Sequence, residues 1–251
     1  MLQAYLPSFS GLQIALLCLT ALAAGLARGF SGFGAALIFV PPASAIVGPQ
    51  LAATVLLMID AVSGLGMLPD AWRKAERRDV GVMTIGALIG IPLGAAVLHY
   101  ADPLMLRWGI VVLVIVMLAL LGSGWRYHGK PKLRTAIPVG ALAGFCSGAA
   151  QAGGPPVVAY WLGGAIGHHT ARANIVLYFA LSSCVAIISY LIGGLFSLDG
   201  VKLALVAGPV YALGVYVGAQ LFGRADDHFF RRVCLCLIAI AAILGMPIWQ
   251  R

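Results

Sequence analysis

The sequence predicts an all-α polytopic membrane protein of two inverted repeats, each a broken or re-entrant helical hairpin followed by three transmembrane helices. Three observations lead there: the composition is too apolar for a water-soluble fold, the chain repeats itself at a nearly fixed offset, and the first two apolar runs of each repeat are short and interrupted by glycine. Of 251 residues, 61% are hydrophobic and 10% charged, with a mean hydropathy of +0.99. Soluble domains carry about 25% charged residues, so here the bilayer is the solvent for most side chains. The formal net charge is +8. All the Lys and Arg residues except Arg28 lie in or beside expected loops, where they set orientation and do not point to nucleic acid. The N-terminal stretch lacks basic residues, and its apolar run leads into a motif instead of a cleavage site, so no cleavable signal is expected.

The repeat is read from paired glycines. Gly25, Gly29 and Gly34 match Gly144, Gly148 and Gly153 at an offset of 119 residues, and Gly90 and Gly94 match Gly214 and Gly218 at 124. Asp102 and Arg107 match Asp226 and Arg231 at that second offset. The expected division is 1–128 and 129–251. Apolar runs cover 11–28, 33–48, 50–68, 80–99 and 103–122 in the first half, and 135–148, 153–166, 173–195, 201–222 and 230–248 in the second.

A crossing needs about 20 residues, which the last three runs of each half provide. The first two runs read as half-length helices that enter the membrane, break at the motif and leave on the side of entry. Three crossings per half, an odd number, make the repeats inverted. Loops 69–79, 123–135, 167–172 and 223–232 then fall inside and both termini outside. Twelve Lys and Arg residues lie within, against Arg107, Lys202 and Arg251 outside. The implied location is the cytoplasmic (inner) membrane.

The chemistry concentrates at the glycine motifs. A helix start exposes unpaired backbone N–H groups and a partial positive charge, and in hydrocarbon those donors must be satisfied. An anion satisfies them well. The candidate substrate-binding residues are Arg28, Gly29, Ser31, Gly32 and Gly34 in the first repeat, and Ser147, Gly148, Gln151, Gly153 and Gly154 in the second. Thr54 and Asn174, at equivalent positions of the third runs, are added as flanking residues. Gly25/Gly29 and Gly144/Gly148 also have the small-residue spacing that lets helices pack closely.

Arg28 is the one basic residue expected at membrane depth, where a charge is costly. Asp60, the one acidic residue inside a span, is a charge partner for it, a proton site or a helix-packing group. No catalytic site, cofactor or metal is expected. Cys18, Cys146, Cys184, Cys234 and Cys236 have no zinc-type spacing and read as packing residues. His168-His169 is a loop pair, and Trp72, Tyr160 and Trp161 read as interfacial aromatics.

The stretch Ala24-Gly25-x-x-x-Gly29-x-x-Gly32-x-Gly34 with Pro41, and its second copy from Ala143-Gly144 through Ser147-Gly148 to Gly153-Gly154, resembles the sulfite exporter TauE/SafE family, also called the four-toluene-sulfonate uptake permease family. The family's triple glycine is reduced to Gly34-Ala35-Ala36, and Gln151 stands where a glycine is usual. The resemblance spans both halves. It implies a transporter of sulfite, sulfonates or related sulfur and carboxylate anions, with a small anionic substrate and the lipid bilayer as its partners. Export is the leading reading, with proton-coupled uptake or a passive anion channel as alternatives. An intramembrane enzyme would need a nucleophile with a base, a carboxylate pair or metal ligands, and the chain offers no such spacing. Neither the anion carried nor the oligomeric state is written in these motifs.

Overall fold

The computed structural model describes residues 9–124, 133–162, 167–221 and 227–249, and among these no strand occurs. In order they form α1 (Gly11–Ser31), α2 (Ala35–Val47), α3 (Pro49–Gly64), a 3-10 turn (Leu65–Met67), α4 (Leu68–Lys74), α5 (Arg77–Tyr100), α6 (Pro103–Ser123), α7 (Leu133–Ala150), α8 (Gly154–Trp161), α9 (His168–Ile192), α10 (Leu198–Leu221), α11 (Asp227–Gly245) and a 3-10 turn (Pro247–Trp249). Among the described residues, six stretches are long and apolar enough to cross a bilayer: Gly11–Ser31, Pro49–Lys74, Arg77–Tyr100, Pro103–Ser123, His169–Ile192 and Leu198–Leu221. The protein is therefore a multi-pass membrane protein. Its outward side chains, such as Leu12, Ile89, Met105 and Ile192, are apolar and exposed, as a lipid-facing surface requires.

The first helix departs from the half-length element expected over 11–28. It has 21 residues, about 32 Å at 1.5 Å per residue, which is enough for a crossing. Ser10 and Gln13 form a reciprocal capping box at its start, and Gly32 closes it in the left-handed conformation (φ 79°). The caps, not the hydropathy, set its length. α2 is short, at 13 residues, and α8 has 8. The run 230–248, expected to cross, falls on the 19-residue α11 and the 3-10 turn after it. Residues 125–132, 163–166 and 222–226 lie outside the described residues, as do both ends of the chain and the side chains of His168 and Arg231. Most of the positive charge assigned to loops 123–135 and 223–232 lies there too.

Glycine sets the helix packing. A Cβ on Gly25 or Gly29 of α1 would overlap the backbone of Tyr211 and Val215 in α10, and one on Gly214 or Gly218 would overlap Leu22 and Leu26. α5 and α7 interlock the same way, with Gly86, Gly90 and Gly94 meeting the backbone of 137–149, and Gly140, Gly144 and Gly148 meeting Met83, Ala87 and Ile91. Backbones thus touch directly along two small-residue faces. In both pairs the first helix of one half lies against the fourth run of the other.

Partner numbers rise together within each pair, so the two helices of a pair run in the same direction. Gly200 and Gly208 of α10 meet Leu51 and Ile59 of α3 in the same ascending order. Gln50, at the start of α3, donates to the carbonyls of Leu98 (3.1 Å) and His99 (3.3 Å) at the end of α5. The N–H of Glu76, before α5, donates to Asn174 Oδ1 near the start of α9 at 2.8 Å. Hence α1, α3 and α10 run one way and α5, α7 and α9 the other. Gln13 Nε2 donates to Ile46 O at 3.4 Å, which returns the end of α2 to the start of α1.

One buried cluster gathers side chains from α1, α2, α3, α6 and α10, and another gathers those of α5, α7, α8 and α9. The second includes Tyr160 and Trp161, which are 2% and 0% exposed. This corrects their reading as interfacial aromatics: α8 turns inward, and Trp161 meets Tyr178 edge-on at 6.0 Å. Trp72 is half exposed, under the guanidinium of Arg77.

Candidate anion site

Each half contributes a turn whose first helix ends in the same way. In α1 the N–H of Gly32 donates to Arg28 O, and at the end of α7 the N–H of Gln151 donates to Ser147 O, both at 2.8 Å. Gly32 has φ 79° and Gln151 has φ 56°. The left-handed conformation comes freely to a glycine but is uncommon for other residues, and Gln151 is the one non-glycine residue there with positive φ among those described. Its side chain helps to hold the turn, because Gln151 Nε2 donates to Tyr190 Oη at 3.2 Å and Tyr190 Oη donates to Gly148 O at 2.8 Å.

The turns of the two halves border one cavity of about 50 Å³. At roughly 10–15 Å³ per water-sized centre, it has room for about four heavy atoms. Its wall includes Arg28, Phe33, Gly34, Ala35 and Ala36 from the first turn, Leu56 and Asp60 from α3, Ser147, Gln151 and Gly154 from the second turn, and Phe179, Ser182 and Ser183 from α9. α2 begins at this wall with no side-chain cap on Gly34, so the N–H groups of Ala35 and Ala36 lie at an open helix start. α8 begins there too, but Pro155 and Pro156 have no N–H to offer. The second side replaces backbone donors with hydroxyls, and among the described residues those of Ser147 and Ser183 have no protein partner.

Arg28 is the charged centre of this wall. Its Nε donates to Asp60 Oδ1 at 3.0 Å, and its side chain is 8% exposed against 28% for Asp60. Nη1 donates to the Gly32 carbonyl, and the guanidinium carbon lies 5.2 Å from the centre of the Phe179 ring. Tyr211 Oη donates to the same Asp60 oxygen at 2.5 Å. Tyr211 also interacts directly with the Arg28 side chain, so the guanidinium, the carboxylate and the phenol form one cluster. The pair holds opposite charges that the bilayer would otherwise penalise, and it leaves part of the guanidinium beside the cavity.

The other expected site residues lie elsewhere. Gly29 and Gly148 face the backbones of Val215 and Ile91 and serve packing. Ser31 Oγ lies 2.7 Å from both Ala27 O and Phe33 O and donates its one proton to either of them, and Gly32 is the cap behind the wall. Gly153 abuts Ser147 and Ala143, where any Cβ would collide. Thr54 is fully buried and donates to Gln50 O at 2.5 Å. Asn174, bonded to Glu76, sits near the start of α9. Thr54 and Asn174 therefore do not flank this cavity. Tyr211, Phe179, Ser182 and Ser183 went unnoticed in the sequence. Their signal was a polar or aromatic group partway along the runs 173–195 and 201–222.

The profile of the family described as sulfite exporter TauE/SafE matches residues 17–244, nearly the whole chain. The chain belongs to the sulfite exporter TauE/SafE family. Both glycine turns, the Arg28–Asp60 pair and the cavity wall fall within the matched residues. No curated protein and no solved structure matches the chain. Among the described residues, no group of three His, Cys, Asp or Glu side chains could hold a metal ion. In this TauE/SafE member, which belongs to a transporter family, the polar groups of both turns and of Asp60 gather around the one cavity described above.

Proposed function

We propose that the protein carries small oxyanions across the cytoplasmic membrane, chiefly exporting sulfite, sulfonates or related organic sulfur anions. The observation that carries this reading is the meeting of two glycine-rich turns, one from each half, around a single cavity that contains Arg28. A buried guanidinium, two open amides and two unpartnered hydroxyls offer an oxyanion replacements for its water shell. The apolar faces of Phe33, Leu56 and Phe179 exclude water from the rest of the wall.

Inverted repeats fit this role, and the helix directions support them: α1, α3 and α5 of the first half run opposite to their equivalents α7, α9 and α10 in the second. A turn within the membrane is supported by Arg28, which reaches Asp60 eleven residues into the Pro49–Lys74 stretch. Positive residues Arg73, Lys74, Arg77, Arg78, Arg134 and Arg172 gather at one side by these directions. That side is the cytoplasmic one under the positive-inside rule. Export of a dianion down a potential of 100 mV, inside negative, gains about 4.6 kcal/mol at about 2.3 kcal/mol per charge, or about three decades of concentration. No coupling ion is then required.

The test is counterflow with purified protein in vesicles, offering sulfite, sulfate, thiosulfate, sulfoacetate and simple carboxylates. Saturable uptake of a labelled sulfur oxyanion, accelerated by the same anion inside, supports a carrier. Flux without saturation or counterflow identifies a channel, and conversion of the anion identifies an enzyme.

A further inference from the structure

Asp60 does more than neutralise Arg28, because it lines the same cavity that the anion is to occupy. Its carboxylate is itself an oxyanion, and it rests on Nε of the guanidinium that the substrate would use. It also has a second partner besides Arg28: Tyr211 Oη, from α10, donates to Asp60 Oδ1 at 2.5 Å and itself touches the Arg28 side chain. The titratable groups that reach Asp60 are Arg28 from α1 and Tyr211 from α10. α2 has no titratable residue, and α9 contributes the Phe179 ring and the Ser182 and Ser183 hydroxyls to the cavity.

We propose that Asp60 is a tethered stand-in for the substrate: it holds Arg28 when the cavity is empty, yields Arg28 to the arriving anion, and remains anchored by Tyr211. This rests on the anion site proposed above. Its consequence lies in the transport cycle. A carrier returning empty would otherwise move a bare guanidinium through hydrocarbon. Asp60 keeps the empty form neutral, at the expense of competing with the substrate. One carboxylate thus sets both affinity and the rate of empty return.

The experiment compares wild type, Asp60→Asn and Tyr211→Phe in detergent and in vesicles, with methanesulfonate and sulfite as probes. Methanesulfonate stays ionised across the working pH range, so any proton taken up on its binding belongs to the protein. Asp60→Asn should bind methanesulfonate at least about tenfold more tightly, the scale of one charge–charge interaction in a partly buried site. It should keep anion exchange while net efflux falls at least about tenfold, because exchange never needs the empty return. Tyr211→Phe should weaken binding, since a displaced Asp60 then has no donor. Calorimetry in buffers of different ionisation enthalpy should count no proton uptake in wild type.

Equal or weaker binding by folded Asp60→Asn overturns the proposal, as does a parallel loss of exchange and net efflux. Uptake of about one proton per anion also overturns it and makes Asp60 a coupling site. If Asp60→Asn does not fold, the Tyr211→Phe affinity and the wild-type proton count decide by the same criteria. Failure of wild type to bind any of the anions would instead remove the anion site itself.

Discussion

Arg28 and Asp60 show how much one pair can specify. Removing one partner of a buried ion pair strands the other, which typically costs about 3–5 kcal/mol. Arg28→Ala should therefore lower the melting temperature and abolish measurable anion binding. Arg28→Lys keeps the charge but loses the planar fork that serves Asp60, Gly32 and the cavity together, so it should bind with intermediate affinity. A steric companion is Gly154→Val: a Cβ there has Phe179 and Phe33 as its nearest neighbours, at an ordinary contact distance of 3.7 Å, at the edge of the cavity. It should block binding while the protein remains monodisperse in gel filtration. Normal binding by folded Gly154→Val and Arg28→Ala would place the site elsewhere. Gly153 cannot serve this purpose, because its hydrogen already faces Ser147 and Ala143. Arg28 and Asp60 were legible in the sequence because charges within apolar runs are rare. Tyr211 and Phe179 were not, because aromatic side chains are ordinary in membrane helices and only the fold brings them to Asp60 and Arg28.

The helix pairs repay reading by spacing. Glycines four apart in 25–29 and 144–148 announced close packing, but not which helix faced which, and Gly90/Gly94 and Gly214/Gly218 were read only as markers of the repeat. That depends on non-local contacts, and α1 with α10 and α5 with α7 both cross between the halves. The length of α1 was misjudged because hydropathy fades after Arg28 while the helix continues to its Gly32 cap. At this scale the expected outcome is that Gly90→Leu or Gly144→Leu forces the backbones apart. Overpacking of a tight core typically costs about 1–3 kcal/mol. Unfolding in mild detergent should show a lower midpoint for either variant, whereas Gly109→Leu, which has open space around it, should leave the midpoint unchanged. A full effect at Gly109 and none at Gly90 would contradict the backbone-to-backbone contact.

For the molecule as a whole, the orientation can be tested by labelling. In a cysteine-free background, single cysteines replacing Glu76 or Thr170 should resist an impermeant thiol reagent in intact cells. Cysteines replacing Ala101 or Leu198 should react. Labelling of position 170 without 76 would contradict the shared side of α5 and α9 implied by the Glu76–Asn174 hydrogen bond. The interlock of α1 with α10 also bears on how the chain is made. The two faces lie far apart in sequence, Gly214 following Gly25 by 189 positions. On the ribosome, α1 is inserted long before its partner exists, and its glycine stripe must wait against lipid or the insertion machinery until α10 follows. The first half is therefore born unfinished, and nascent chains halted before residue 214 should be the form most dependent on protection from membrane proteases.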